Sequence, residues 1–189
     1  VMVGEWPGYA TGNALRMAVF GHYAYVVAGD FPQVVDASDP AHPQRVAIYA
    51  DISVWDVALS GHYAYITGGW PEGTAWKSAL RVLDVSDPAN PRLVGKCHNG
   101  DDTAIRVAVS GDYAYVTGIC WESGAGYDSL QVFDVANAAE PKRVGLCRTG
   151  GHPATHVAVS GPYAYLACGE EGLQVIDVSN PANPQRLGS

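Results

Sequence analysis

Apolar and polar residues alternate with a period of two along most of the chain, and no segment shows the 3.6-residue period of a helix. In "TAIRVAVSGDYAYVTG", Val107 and Val109 alternate with more polar or smaller residues up to Gly111, and tyrosines occupy alternate positions after it. This pattern predicts a β-hairpin closed at Gly111–Asp112, because glycine readily supplies the positive φ that a tight turn needs.

The hairpin pattern occurs four times, with turn glycines at Gly21, Gly61, Gly111 and Gly161. A second block follows each hairpin, and the four versions are "VVDASDPAHPQRV", "VLDVSDPANPRLV", "VFDVANAAEPKRV" and "VIDVSNPANPQRL". This block predicts a third strand, a turn held by Asp and Asn side chains, and a fourth strand. Each copy is therefore predicted to be a four-stranded antiparallel meander, with strands a to d in chain order.

Both faces of each predicted sheet are largely apolar, so both faces must be covered. Neighbouring copies cover them in a β-propeller, where four-stranded blades stack around an axis. We therefore predict an all-β fold, a single β-propeller or propeller segment over 1–189, with blades at 14–49, 54–97, 104–147 and 154–189. A β-sandwich is disfavoured because its strands normally keep one solvent-facing side.

The combination of "SGDYAYV" with "LQVIDVSNPANPQRLG" resembles the LVIVD repeat, and the resemblance extends over all four copies. It implies propeller blades in proteins that are mostly secreted or on the cell surface of bacteria and archaea, and that are generally of unknown biochemical function. The third copy departs from the pattern, with "VANAAEP" where "VSDPANP" is expected. We expect that departure to weaken the turn of the third blade.

The types of strand at the two ends of the repeat array indicate whether the four blades can close into a ring. The opening "VMVGEW" has the pattern of a strand d, which predicts an extra outer strand at 1–7, yet the fourth copy ends in its own strand d, "PQRLGS". A ring closed by a shared blade would instead lack one of these strands. We therefore expect part of a larger propeller, or one completed by another copy of the chain.

The composition and the motifs of the chain disfavour several classes of binding partner and activity. The formal net charge of −8 argues against nucleic acid, which requires clustered Lys and Arg. No apolar run approaches the roughly 18 residues of a membrane span, so direct membrane insertion is not expected. The Gly-x-Ser-x-Gly motif of a serine nucleophile does not occur, and no cofactor is indicated.

The four cysteines occupy two repeat positions. Cys97 and Cys147 end strand d, while Cys120 and Cys168 lie at or just past the end of strand b. Because each d–a connection enters the blade whose strand b carries the next cysteine, we predict the disulfides Cys97–Cys120 and Cys147–Cys168. Such bonds would indicate an oxidising, extracellular setting, and four free buried thiols are the alternative.

The b–c connections of copies two and three, at 68–79 and 118–129, are longer than those of the other copies. They carry four aromatic residues and three acidic residues, namely Trp70, Trp76, Trp121, Tyr127, Glu72, Glu122 and Asp128. Aromatic residues with acidic neighbours on surface loops are suited to stacking on sugar rings or packing on a protein partner. Alternatively, these aromatic residues only cover the ends of the blades.

Two further groups of polar residues are candidates for binding. The first residues of the four a strands, Arg16, Asp56, Arg106 and His156, would line the mouth of a propeller channel, either as a ligand site or as a self-neutralising ring. The connections at 97–104 and 150–156 add His98, Asp101, Asp102 and His152. These four are weak metal candidates, because their spacing matches no known metal-binding loop.

These observations favour a non-enzymatic structural or binding module of a secreted or cell-surface prokaryotic protein, which presents a loop face to protein or carbohydrate ligands. One alternative is a propeller hydrolase or lyase acting on polysaccharide, with Asp56, Glu72, Glu122 and His156 as its acids and bases. Another is a subunit that assembles into a ring or filament through unmatched strand edges.

Overall fold

The computed structural model describes residues 2–3, 14–28, 31–49, 53–72, 75–97, 102–150 and 154–188. These residues form four antiparallel sheets of four strands each, and in every sheet the strand order follows the chain. The only helical element among them is a 3-10 turn, Gly169–Glu171, so the described part holds no helix that could cross a membrane. The prediction of an all-β fold built from four four-stranded blades is confirmed.

The strands are numbered along the chain. Blade 1 contains β1 (Ala14–Phe20), β2 (Tyr23–Ala28), β3 (Phe31–Asp36) and β4 (Gln44–Ile48). Blade 2 contains β5 (Ser53–Ser60), β6 (Tyr63–Glu72), β7 (Ala75–Asp84) and β8 (Arg92–Cys97). Blade 3 contains β9 (Arg106–Ser110), β10 (Tyr113–Glu122), β11 (Ala125–Asp134) and β12 (Lys142–Gly150). Blade 4 contains β13 (His156–Ser160), β14 (Tyr163–Ala167), β15 (Leu173–Asp177) and β16 (Gln185–Gly188).

The first hairpin of each blade closes as the sequence predicts. In blade 3, Ser110 pairs with Tyr113 across the two-residue turn, and Gly111 has a φ of 57°. A positive φ at the first central position is characteristic of the type II′ turn, which matches the twist of the flanking strands. The turn glycines of the other three blades have φ values between 56° and 60°.

The turn after the third strand of each blade is held by an aspartate side chain. Asp84 Oδ1 accepts a hydrogen bond from the backbone N–H of Ser86 at 2.9 Å, and Asp36 and Asp177 make the equivalent bond. Blade 3 keeps this arrangement despite its altered sequence, because Asp134 Oδ1 accepts from Ala136 N at 3.0 Å. The departure in the third copy therefore leaves the bond that begins its turn intact.

Three hydrophobic clusters hold the blades together, and each cluster joins one blade to the next. The first links blades 1 and 2, the second links blades 2 and 3, and the third links blades 3 and 4. In the third cluster, Leu130 of β11 packs with Val157 of β13 and Ile176 of β15. Face-to-face stacking of neighbouring copies thus buries both sides of the inner blades, as the apolar pattern predicts.

The described sheets form an open row and do not close into a ring. Leu80 and Leu130 occupy the same repeat position and are 0% exposed, whereas the equivalent Leu173 of blade 4 is 57% exposed. At the other end of the row, Met17 of blade 1 is 68% exposed, although the equivalent valines of blades 2 to 4 are buried. The predicted extra strand at 1–7 falls mostly outside the described residues, and Met2 is exposed.

Candidate ligand-binding site

The b–c hairpin of blade 3 extends well beyond the first strand of its sheet. Strands β10 and β11 remain paired from Tyr113↔Asp134 to Glu122↔Ala125, and we call residues 118–129 of this hairpin the arm. Ser123 and Gly124 form the tip, with φ values of 52° and 83°. Two successive positive φ values are typical of the type I′ turn, so the arm is a regular hairpin and not an irregular loop.

One edge of the arm is anchored by the segment that leads into blade 3. Thr103 N donates to Ile119 O at 2.8 Å, and Ile119 N donates to Thr103 Oγ1 at 2.8 Å. Gly118 permits this contact, because a Cβ at that position would overlap the carbonyl oxygen of Thr103. The arm is therefore attached to the body of the blade beyond its root.

Asp102 completes the anchor. Its Oδ1 accepts a hydrogen bond from Trp121 N at 2.9 Å, and its Oδ2 forms an ion pair with Arg143 at 2.7 Å. Both carboxylate oxygens of this weak metal candidate thus have protein partners, and they fix the backbone of Trp121. The other metal candidates, His98, Asp101 and His152, lie outside the described residues. Within the described ranges, no group of three His, Cys, Asp or Glu side chains is arranged to hold a metal ion.

The side chain of Trp121 lies across the arm. Trp121 pairs with Gly126 on the opposite strand, and a Cβ on Gly126 would be 3.3 Å from the indole ring. The absence of a side chain at position 126 lets the ring lie close to the backbone. Trp121 nevertheless remains 52% exposed, so one broad aromatic surface faces solvent on an anchored hairpin.

A groove runs beside this ring. It has a volume of about 260 Å³ and is lined by Ile119, Trp121, Gly126, Tyr127 and Asp128. Asp128 is buried, so the groove combines aromatic and aliphatic surface with a carboxyl group at its wall. This combination can accommodate a small ring with one apolar face and hydroxyl groups at its edge.

Arg148 of β12 joins the two other candidates on the arm. Its guanidinium lies 4.0 Å from the centroid of the Tyr127 ring, and it forms an ion pair with Glu122. Cation–π contact and ion pairing together hold these side chains on the face of the arm opposite Trp121, because successive residues of a strand point to opposite faces and Tyr127 pairs with Cys120. The structure thus places all three candidates on one arm, with Trp121 on one face and with Tyr127 and Glu122 on the other.

The corresponding hairpin of blade 2 has the same backbone pairing. Strands β6 and β7 pair at Trp70↔Lys77, Pro71↔Trp76 and Glu72↔Ala75. The side chains of Trp70, Glu72 and Trp76 lie outside the described residues. For these three candidates the structure therefore gives the positions on strands β6 and β7 and no side-chain geometry.

The channel candidates converge at the inner ends of the blades. Asp56 is buried and accepts backbone hydrogen bonds from Val57 at 3.0 Å and Val107 at 3.1 Å. Burial raises the pKa of Asp56, because the desolvation cost exceeds the stabilisation from these bonds and from nearby arginines. Asp56 is thus engaged by the backbone of two neighbouring blades.

Two arginine side chains donate hydrogen bonds to the same backbone carbonyl oxygen near Asp56. Arg106 Nε donates to Thr155 O at 2.9 Å, and Arg16 Nη2 reaches the same oxygen at 3.4 Å. Burial, together with the charge of Arg16, lowers the pKa of Arg106. His156 follows Thr155 and is exposed. Three of the four channel candidates therefore form one charged cluster, with His156 adjacent to it.

All four cysteines are free, so neither predicted disulfide is present in the structure. Each predicted pair instead converges on one arginine. Arg143 interacts with both Cys97 and Cys120, and Arg186 interacts with both Cys147 and Cys168. The repeat geometry does bring the two members of each pair toward a common neighbour: the Arg143 guanidinium lies 3.8 Å from Cys120 Sγ, and the backbone of the same arginine hydrogen-bonds Cys97. Burial raises the pKa of all four thiols.

Sequence reasoning missed two residues of the arm site. Gly126 could have been identified by counting register, since a two-residue turn at Ser123–Gly124 places it opposite Trp121. Arg148 gave no comparable signal, because it lies on strand d, outside the long connection. Its place on the arm depends on the pairing Ser129↔Arg148 between β11 and β12.

Comparison with known proteins supports the repeat assignment. The family model described as "LVIVD repeat" matches residues 11–51, 53–99, 102–149 and 150–189. No curated protein sequence matches the chain.

Solved structures share the fold at low sequence identity. The computationally designed Ika4 protein is 12% identical with a TM-score of 0.60, over 92% of this chain and 95% of that one. A functionally unknown protein from Desulfotomaculum acetoxidans is 14% identical with a TM-score of 0.71, over 99% of this chain and 59% of that one. Kuenenia stuttgartiensis hydrazine synthase is 15% identical with a TM-score of 0.63, over 85% of this chain and 51% of that one. The chain thus spans little more than half of the two natural proteins.

Proposed function

The chain belongs to the LVIVD repeat family, and from this premise we propose that it is a non-enzymatic carbohydrate-binding module of a secreted or cell-surface prokaryotic protein. The ligand lies in the groove of the blade 3 arm, against the indole of Trp121. A repeat array supplies a rigid scaffold in this proposal, and the long hairpin supplies the specificity. Binding sites carried by loops or hairpins on a rigid scaffold are common among all-β proteins.

The single observation that carries the proposal is the exposed indole of Trp121 held across Gly126. A ligand that covers an exposed apolar ring removes apolar surface from water, which is favourable, and the backbone that carries this ring is anchored through Asp102. Anchoring matters because a ring carried on a fixed backbone loses less conformational entropy when a ligand binds. The arrangement is therefore preorganised for stacking.

The polar groups around the groove favour a sugar over a wholly apolar ligand. Asp128 lines the groove, whereas the ion pair of Glu122 with Arg148 lies on the opposite face of the arm. Carboxylates accept hydrogen bonds from hydroxyl groups, while the face of the Trp121 indole can pack on the C–H face of a pyranose. A volume of about 260 Å³ suits one ring, being slightly below the usual range for sites of drug-sized ligands.

The contacts of the candidate acids support binding in preference to hydrolysis. Glycosidases place two carboxyl groups across the scissile bond, about 5–10 Å apart. In this chain Asp56 accepts backbone hydrogen bonds between inner strands, whereas Glu122 pairs with Arg148 on the arm. These two groups serve different partners in different parts of the molecule.

The test is a glycan-array screen of the 189-residue chain, followed by calorimetric titration of the sugar that binds best. We expect Trp121→Ala to weaken binding at least about tenfold, since truncation of an aromatic anchor at a binding hot spot typically costs about 2 kcal/mol or more. Leu146→Ala is the matched control, because Leu146 is also an exposed apolar residue of blade 3 but lies on its outer strand. Equal affinity of both variants would contradict the proposal, as would binding to a protein but to no glycan.

A further inference from the structure

The two ends of the row of blades expose surfaces that are buried everywhere else in the molecule. We call the side of a sheet that packs on the following blade its forward face, and the side that packs on the preceding blade its rear face. Leu80 and Leu130 lie on forward faces, whereas Val107 and Val157 lie on rear faces. Blade 4 has a forward face, and blade 1 a rear face, that no blade of the described chain covers.

The forward face of blade 4 repeats the residue types of the internal interfaces. Leu173 stands at the position of Leu130, and Tyr165 stands at the position of Tyr115. Leu130 and Tyr115 are buried against blade 4, but Leu173 is exposed and Tyr165 is only half-buried. The face is thus built like an interface, and no blade of the described residues covers it.

The rear face of blade 1 shows the complementary exposure. Met17 stands at the position of Val157, and Val19 stands at the position of Val159. Val157 is buried against blade 3 and Val159 packs on the same cluster, whereas Met17 and Val19 are both exposed. Arg16 does reach Thr155 of blade 4, but this contact at the inner ends leaves both apolar faces uncovered.

A glycine on the outer strand provides an independent observation. Gly145 of blade 3 is pressed so closely by blade 4 that a Cβ would overlap the carbonyl oxygen of Pro181, and Gly95 of blade 2 meets Ala138 in the same way. Gly188 stands at this position in blade 4, and a Cβ there would meet nothing within 4 Å. The equivalent of Pro181 in blade 1 is Pro40, which is exposed.

We propose that a second copy of this chain covers these faces. The forward face of blade 4 in one copy packs on the rear face of blade 1 in another, and Gly188 receives the turn that contains Pro40. The second copy is the favoured occupant because the chain itself carries both halves of the contact, and because the same type of contact already forms three times within it. The inference is independent of carbohydrate binding on the arm.

The proposed contact is heterologous, since two different surfaces of the chain meet. Such contacts produce a closed ring when the rotation between copies closes, and a filament when it does not. Heterologous pairing also has a signature in mixing experiments. A copy altered only on its rear face still offers an intact forward face to a copy altered only on its forward face.

The experiment measures the mass of the 189-residue chain by sedimentation and light scattering over a range of concentrations. We expect the unaltered chain to associate, and Met17→Glu, Leu173→Glu and Gly188→Ala each to shift it to monomer. Leu146→Glu, an exposed leucine on the outer strand of blade 3, is the control that should leave the mass unchanged. An equimolar mixture of the Met17→Glu and Leu173→Glu chains should form a heterodimer.

Gly188→Ala keeps the test independent of folding, because its Cβ meets nothing in the single chain and its thermal unfolding as a monomer should match that of the unaltered chain. A chain that is monomeric at every concentration would overturn the proposal. Association that survives all three substitutions would overturn it as well, because the copies would then meet through another surface.

Discussion

Two leucines at one repeat position should differ sharply in their contribution to stability. Leu130 is fully buried between blades 3 and 4, whereas Leu173 is more than half exposed on the forward face of blade 4. Substitution of either by alanine removes the same atoms from the same kind of strand. The difference between the two effects therefore reports whether a neighbouring blade covers the position.

The expected magnitudes follow from these exposures. Truncation of a buried leucine to alanine costs about 2–5 kcal/mol, because apolar contacts are lost and a cavity remains. An exposed leucine away from such features changes stability by roughly 0.5 kcal/mol or less. For a chain of this size, 1 kcal/mol shifts Tm by about 2–4 °C, so Leu130→Ala should lower Tm by roughly 4–20 °C and Leu173→Ala by about 2 °C at most.

The assay is thermal and urea unfolding followed by circular dichroism, with both substitutions placed in the Met17→Glu chain. That background removes the proposed contact between copies, so that the effect of Leu173→Ala on stability is measured in the monomer. The reasoning would be refuted if Leu173→Ala destabilised the monomer as much as Leu130→Ala, because blade 4 would then be covered. A negligible effect of Leu130→Ala would equally refute the packing of blades 3 and 4.

Three further predictions concern turns, backbone contacts and thiols. Gly145→Ala should lower the urea midpoint markedly because its Cβ would overlap blade 4, whereas Gly188→Ala should leave the midpoint of the monomer unchanged. Hydrogen bonds from the serine two residues later lower the pKa of Asp36, Asp84 and Asp177, so their contribution to stability is present above about pH 4 and is lost as the pH falls through their lowered values. The slope of Tm against pH in acid should therefore decrease in Asp84→Asn, which keeps the acceptor oxygen but cannot ionise. Burial raises the pKa of the four cysteine thiols, so iodoacetamide should modify them slowly in the native chain. After unfolding without reductant it should modify all four, and mass spectrometry can count the modified cysteines.

The repeated sequence pattern predicts the blades well because each copy contains its own local determinants. Gly111 specifies the tight hairpin turn, and Asp134 specifies the turn after the third strand even where the flanking residues change. The pattern cannot report whether a neighbour is present, since Leu173 and Leu130 occupy equivalent positions in nearly identical segments. Exposure at the ends of the row is a property of the assembled structure.

The arm was located by its length and its aromatic residues, but its geometry depends on strand register. Trp121 and Gly126 face each other because the turn contains two residues, and Arg148 reaches Tyr127 because of the pairing between β11 and β12. The structure also forms neither of the predicted disulfides. Equivalent repeat positions bring Cys97 and Cys120 toward one neighbour, but they do not indicate that Arg143 interacts with both.

The most direct test of the central claim is the response of the five tryptophan indole N–H signals in a ¹H–¹⁵N spectrum when a bound sugar is titrated. The Trp121 signal is assigned by its loss in Trp121→Phe, and Trp55 of β5, which belongs to blade 2, serves as the internal reference. If the arm of blade 3 is the binding site, the Trp121 signal shifts with saturation while that of Trp55 stays in place. A sugar that binds without moving the Trp121 signal would contradict the claim.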